Sequence, residues 1–174
     1  MRCCPKIIFA LLIAFVVSTA NAKGVYQEPE AFIAENFGTP PAASRVLLKG
    51  ELKKQAKDIL GHRYRKIRIP YWQEGKRSAW ILEEIGKELP ITAGIVINDN
   101  QVESVKILIF RESRGWEVRN EFFTEQFDQG RLTEDQKLTT HIDNITGATL
   151  SVRAVKKLVR LALLLHQHVN EPKA

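Results

Sequence analysis

Thiols are almost missing from this chain of 174 residues: there are two cysteines, side by side at positions 3 and 4. From position 5 onward the chain has no disulfide, no thiol nucleophile and no cysteine metal site. Aromatic residues are sparse at 8%, and no internal repeat or low-complexity segment occurs. Long apolar runs are missing as well. The single candidate, Ile7–Val17, falls short of the ~20 residues a membrane span requires. Nor is charge of one sign concentrated anywhere. The formal charge is +6, and the basic clusters Lys53-Lys54, His62–Lys66 and Lys156-Lys157 are scattered and interleaved with glutamate. A nucleic-acid protein concentrates its lysine and arginine on one stripe, so no nucleic-acid partner is expected. The mild positive balance favours an anionic partner or cofactor without naming one.

What stands at the start has the order of a secretory leader. Arg2 and Lys6 give a positive beginning, Ile7–Val17 the apolar stretch, and Ala20-Asn21-Ala22 the small residues a signal peptidase reads. Cleavage is expected after Ala22. No twin-arginine pair precedes the apolar stretch, so export of an unfolded chain is expected, and neither cysteine follows a lipidation box. Loss of Arg2 and Lys6 leaves a charge of about +4. The expected organisation is a signal peptide at 1–22, an N-terminal helical segment at 23–62, a main domain at 63–170 and a tail at 171–174. The remainder is long enough to bury a core without staples.

Hydrophobic periodicity gives the elements. Phe32, Ile33 and Phe37 share a helical face over Glu30–Phe37, closed by Gly38-Thr39-Pro40-Pro41. A second helix is expected from about Ser44 to Leu60, with Gly61 as its stop. The period then turns to two. Tyr64–Tyr71 reads as a strand, Gln73–Lys76 as a hairpin turn and Ser78–Ile85 as the return strand. Ile91–Ile97 and Val102–Phe110 form a second pair around Asn98-Asp99-Asn100. Trp116–Phe127 is more helical than extended, and Leu132–His141 is an extended or short strand segment. Leu150–Val169 is the longest amphipathic helix, with Arg153, Lys156, Lys157 and Arg160 opposite its apolar stripe. The class expected is α+β: an antiparallel sheet of about four or more strands, packed with N-terminal helices and a long C-terminal helix.

Chemistry concentrates at Asp143-Asn144-Ile145-Thr146-Gly147-Ala148-Thr149-Leu150-Ser151, where a loop gives way to that last helix. Gly147 permits positive φ and close approach of a ligand, and Ala148 adds little bulk. The first N–H groups of a helix have no partner within it, so an anion there meets both free donors and the positive end of the dipole. Arg153 and Lys156 add charge nearby. On the residues alone, the commoner explanation is that Thr146, Thr149 or Ser151 serves as an ordinary N-cap worth about 1 kcal/mol, since caps far outnumber phosphate sites.

Asp143, followed after two residues by Thr146-Gly147-Ala148-Thr149, resembles the flavinylation motif of the FMN-binding domain family. Ile91–Phe110 with the following Arg111–Arg119 resembles that family's strand pair and turn, and the resemblance covers about Lys66 to Val169. Members include flavin subunits of sodium-pumping NADH:quinone reductases and of Rnf-type complexes. The resemblance implies FMN joined through its phosphate to Thr149, with Asp143, Thr146, Gly147 and Ala148 completing the motif and Ser151 beside it. It implies that a Mg²⁺-dependent FAD:protein FMN transferase makes the bond from FAD. Glu112, Arg114 and Trp116, with Ser113 and Gly115 between them, are candidates for the wall around the flavin ring. Trp116 either stacks on that ring or anchors a turn in the core. An arginine at 111 or 114 near the ring would stabilise its reduced anion.

Other constellations are weaker. Glu83 and Glu84 are adjacent on a strand and so point to opposite faces, while Glu134-Asp135 reads as solvated loop charge. His166 and His168 fall on different helix faces and make a poor metal pair. His141 stands two residues before Asp143. The reading that follows is a periplasmic electron carrier, more a redox subunit than an enzyme acting alone. Its expected partners are the transferase and a membrane cytochrome or quinone-linked reductase. The alternatives are an exported non-redox binding module and a flavin reductase with its own substrate.

Overall fold

Apolar residues in this chain follow two periods, and each period has become one layer. A computed structural model describes residues 24–171. The expected leader with its cleavage after Ala22, residue 23 and residues 172–174 of the expected tail lie outside the described residues. The elements in chain order are α1 (Pro29–Phe37), β1 (Ser44–Leu47), α2 (Gly50–Leu60), β2 (Arg68–Glu74), β3 (Arg77–Ile85), β4 (Pro90–Asn98) and β5 (Gln101–Phe110). A 3₁₀ turn at Trp116–Arg119, the short α3 (Glu121–Thr124), a second 3₁₀ turn at Glu125–Phe127 and finally α4 (Thr149–Asn170) complete the fold. The five strands pair in sequence order, every pair antiparallel. The fold is α+β, as the patterning implies.

Alternation along the strands divides the core. Trp80 and Leu82 of β3 face the same large cluster as Ile95, Ile97 and the apolar side chains of α2 and α4. Ala79 of β3, with Val96 and Leu108, faces Phe32 and Ile33 of α1 on the opposite side. Gly94 is what admits α1: a Cβ there would stand 2.6 Å from the Phe32 ring. On the α4 side, Tyr71 stacks on its cross-strand partner Trp80 at 4.9 Å.

Three expectations change. The helix over Ser44–Leu60 is a strand and then a helix. Val46 and Leu48 alternate inward with period two, Val46 pairs Ile69, and α2 begins only at Gly50, whose φ is +53°. The strand expected over Tyr64–Tyr71 starts later, at Arg68, and runs to Glu74. Leu132–His141 contributes only one isolated bridge, Leu132 to Leu138. The apolar run at the end of β5 does not alternate because a register shift against β4 occurs there, between Thr92 and Ala93; a second shift, between Val96 and Ile97, lies near the start of β5. Such bulges let residues one or three apart face the same side. Helix α4 is buried beyond its expected stripe. Leu161, Leu163 and Leu164 are also covered, because α2 packs on α4 in addition to the sheet.

Candidate functional site

Helix α4 starts abruptly. The chain turns at Ile145–Ala148, where the Ala148 N–H donates to the Ile145 carbonyl at 2.9 Å, and Gly147 carries φ +83°. Glycine at the third position with positive φ is what such a turn requires. A Cβ on Gly147 would meet nothing within 4 Å, so the space beside it is open. Ala148 is the N-cap, and no side chain caps the helix. Thr146, Thr149 and Ser151 therefore do not perform the capping that would ordinarily explain hydroxyls in this position. Thr149 is the first helical residue and is exposed; Ala148 and Ser151 are buried.

The helix start opens on a cleft of about 570 Å³, lined on this side by Gly147, Ala148, Thr149, Leu150 and Ser151. Glu112, Ser113 and Arg114 line it from the segment after β5, and Lys87 and Glu88 from the turn joining β3 to β4. The size falls within the range of ordinary small-molecule and cofactor sites, ~300–1,000 Å³. Three stretches distant in sequence thus meet. The contact between helix and middle segment is close: a Cβ on Gly115 would stand 2.4 Å from Ser151 Oγ.

Of the residues singled out in the sequence, Gly147, Ala148, Thr149, Ser151, Glu112 and Arg114 come together in this cleft. Thr146 sits exposed in the turn behind it. Asp143 is exposed, its N–H held by Gln126 Oε1 at 2.8 Å and its carboxylate 3.3 Å from His141 Nε2. Trp116 is 44% exposed rather than anchored in the core. It stands next to Gly115 but does not line the cleft, and the Arg119 guanidinium lies between its ring, at 4.9 Å, and that of Tyr26, at 4.5 Å. Arg111 donates to the Pro90 carbonyl and to Thr92 Oγ1, both at 3.1 Å. Arg114 makes no hydrogen bond or ion pair among the described residues and faces the cleft. Glu83 and Glu84 do point apart: Glu84 is buried, with His62 Nε2 at 2.9 Å and Lys157 Nζ at 3.3 Å, whereas Glu83 pairs with Lys66. His166 is buried and His168 exposed.

Sequence reasoning missed Lys87 and Glu88. Their stretch, Gly86–Pro90, carries no signal beyond turn composition. It also missed what Glu112 does. Its Oε1 accepts the backbone N–H groups of Lys87, Glu88 and Leu89, at 2.6, 2.6 and 2.9 Å. Burial by itself would raise this carboxyl, but the three donors outweigh burial and hold it below the usual range.

A positively poised, uncapped helix terminus with an exposed hydroxyl and the cation Arg114 suits a phosphate-bearing ligand, with Lys87 beside it paired to Glu88 at 3.2 Å. Residues 86–164 match the family model described as the FMN-binding domain. The matched span opens at the β3–β4 turn and closes within α4, so it contains every lining residue of the cleft. No curated protein matches the chain.

Proposed function

Since residues 86–164 belong to the FMN-binding domain family, and their function is to bind flavin, we propose that this chain is an exported electron-transfer flavoprotein with FMN joined by a phosphoester to Thr149. The observation that carries the reading is the exposed Thr149 hydroxyl at an uncapped helix start, opening on a cleft of cofactor size within the family span. The competing reading, a helix cap and nothing more, requires a hydroxyl bonded to the α4 terminus, and the cap residue is Ala148.

Each part of the cleft has a task in this reading. Thr149 provides the oxygen for the bond. Its Oγ forms the new bond to phosphorus, the hydroxyl proton departs, and the bond from that phosphorus to AMP breaks as FAD is consumed. The modifying enzyme is an exported, Mg²⁺-dependent FAD:protein FMN transferase, which recognises Asp143 and the Thr146-Gly147-Ala148-Thr149 turn. The free N–H groups of the first turn of α4, with Lys87 and Arg114, then balance the phosphate's negative charge. Glu112, Ser113 and Arg114, which line the cleft, would form the wall beside the ring, and Trp116 stands outside that lining. Bound flavin supplies hydride or single-electron transfer, while the protein fixes its position and potential. Attachment keeps the cofactor from being lost outside the cytoplasm. The electron partner is a membrane cytochrome or a quinone-linked reductase.

Intact mass of the protein co-produced with a flavin transferase tests this directly. One FMN is expected per chain, and yellow fluorescence is expected to stay with the denatured polypeptide. Thr149→Val is expected to abolish both while changing stability by no more than about 0.5 kcal/mol, because the side chain is exposed. A bare polypeptide in the presence of active transferase sinks the reading. Flavin retained by the valine variant moves the attachment to another hydroxyl.

A further inference from the structure

The cleft is built from three stretches, and the middle one touches both others. At one end of 111–115, Glu112 Oε1 gathers the N–H groups of Lys87, Glu88 and Leu89. At the other end, Gly115, with φ +84°, lies against the first turn of α4, so close that a Cβ would stand 3.2 Å from the Ser151 Cβ and 3.5 Å from the Ala148 Cα. Gly86 leaves room for the carboxylate: a Cβ there would come 3.0 Å from Glu112 Oε1 and 3.1 Å from Ile91 Cδ1. Several backbone amides converging on one oxygen form an anion nest. Here the anion is part of the chain, and its hydrogen bonds are of the stronger, charge-assisted kind.

The turn has little else to hold it. Within 86–89 the backbone makes one hydrogen bond, from the Gly86 N–H to the Leu89 carbonyl at 3.0 Å. Arg111 fastens the root of the middle segment, through Pro90 and Thr92. Glu112, the next residue, fastens the same end of the segment to the turn that carries Lys87 and Glu88.

We propose that Glu112 is a positioning residue, a clamp between the 86–89 turn and the 111–115 segment that sets the width of the cleft facing Thr149. The proposal rests on the reading of Thr149 as the attachment residue. With the clamp removed, the wall bearing Lys87 loses its reference to the helix start, while the sheet beneath is unaffected. Misplacement of a positioning group by about 1 Å is enough to slow a reaction severely.

Two measurements on Glu112→Ala and Glu112→Gln test the clamp. The first is amide hydrogen exchange in the flavin-free protein. Protection at Lys87, Glu88 and Leu89 is expected to fall about tenfold or more in the alanine variant, while the core strand amides of Trp80 and Ile95 keep theirs. The glutamine variant, which keeps an acceptor without the charge, is expected to fall between. The second is the rate at which Thr149 takes up flavin from FAD and transferase. It is expected to drop about tenfold or more in the alanine variant, with partial recovery in glutamine and a changed visible circular dichroism of the loaded protein. Unchanged protection at 87–89 in both variants overturns the clamp. Local loss of protection with wild-type labelling and dichroism overturns its link to the site. If the alanine variant loses protection throughout the sheet, the glutamine variant decides on the same two criteria. An unaltered protein that takes up no flavin sinks the attachment reading beneath the proposal, whereas labelled wild type with unaffected variants sinks the clamp alone.

Discussion

His166 is a residue whose chemistry is decided entirely by its surroundings. It is 1% exposed, and its Nδ1 lies 2.7 Å from Ser78 Oγ, which also accepts from Trp80 Nε1 at 2.8 Å. The Asn100 N–H and Asn170 Nδ2 approach the other ring nitrogen at 3.4 and 3.3 Å. Both are donors, so Nε2 is the acceptor and Nδ1 carries the proton. Burial pushes the imidazole down to about 4 from an ordinary 6.5. The unfolded chain therefore binds more protons between these two values, and the neutral ring's contribution to stability, present above 6.5, is lost as the pH falls toward 4. The size is roughly 3 kcal/mol. His62 has the opposite sign. Its hydrogen bond to Glu84, aided by the Arg63 carbonyl, raises it, so its contribution is complete below 6.5 and lost as pH rises through the folded value. With nearly half its side chain exposed, its weight is smaller. Denaturant midpoints at about pH 7.5 and about pH 5 are expected to differ in the wild type, with less stability in acid, and to converge in His166→Gln. An equal difference in both proteins would remove His166 as the cause. No sequence pattern announces this group, because Ser78 and Asn100 reach it from β3 and the β4–β5 turn, and only Asn170 lies on its own helix. The place of Thr149 at the start of the last helix was legible because its signals are local: a glycine, small neighbours and the onset of helical period. The oxygen of Glu112 was not, since its partners lie 23 to 25 positions away and are backbone atoms without a side-chain signature.

Among the elements, those with clean periodicity were readable and those governed by pairing were not. Strands β4 and β5 declare themselves through their β-branched apolar runs around a turn, β3 as the return strand of a hairpin, and helix α4 through helical spacing. Strand β1 is four residues long, and its inward Val46 fits a helical face as well as a strand until Ile69 is found opposite it. Helix α1 illustrates a dependence that spacing cannot show. Its apolar face was legible, yet its docking depends on a missing side chain in β4. Gly94→Ala is expected to push the Phe32 ring off the sheet and destabilise by about 1–3 kcal/mol, as overpacking does. Thermal or urea unfolding measures it, and truncation of the ring in Gly94→Ala/Phe32→Leu is expected to recover part of the loss. A fully neutral Gly94→Ala would mean that α1 shifts without cost and is not held by this contact.

For the molecule as a whole, the proposed leader makes a simple prediction. Protein recovered from the periplasm of an expressing cell is expected to begin at Lys23, as read by N-terminal sequencing or intact mass; a product that retains Ile7–Val17 would mean an anchored protein. The layered build also has a bearing on the order of events. The proposed export threads an unfolded chain N-terminus first, so the five strands emerge before α4, and each strand pairs with the one just finished. Such neighbour-to-neighbour pairing keeps contacts close along the chain and assembly quick. Until α4 arrives, however, Trp80, Leu82, Ile95 and Ile97 have no cover on that side of the sheet, and a chain cut short before residue 149 is a sticky, aggregation-prone sheet. In the reading of Thr149 as the attachment residue, the helix that closes the core is also the one that begins with the acceptor, so completion of the fold and readiness for cofactor loading arrive together, and an unfinished chain offers no site to load.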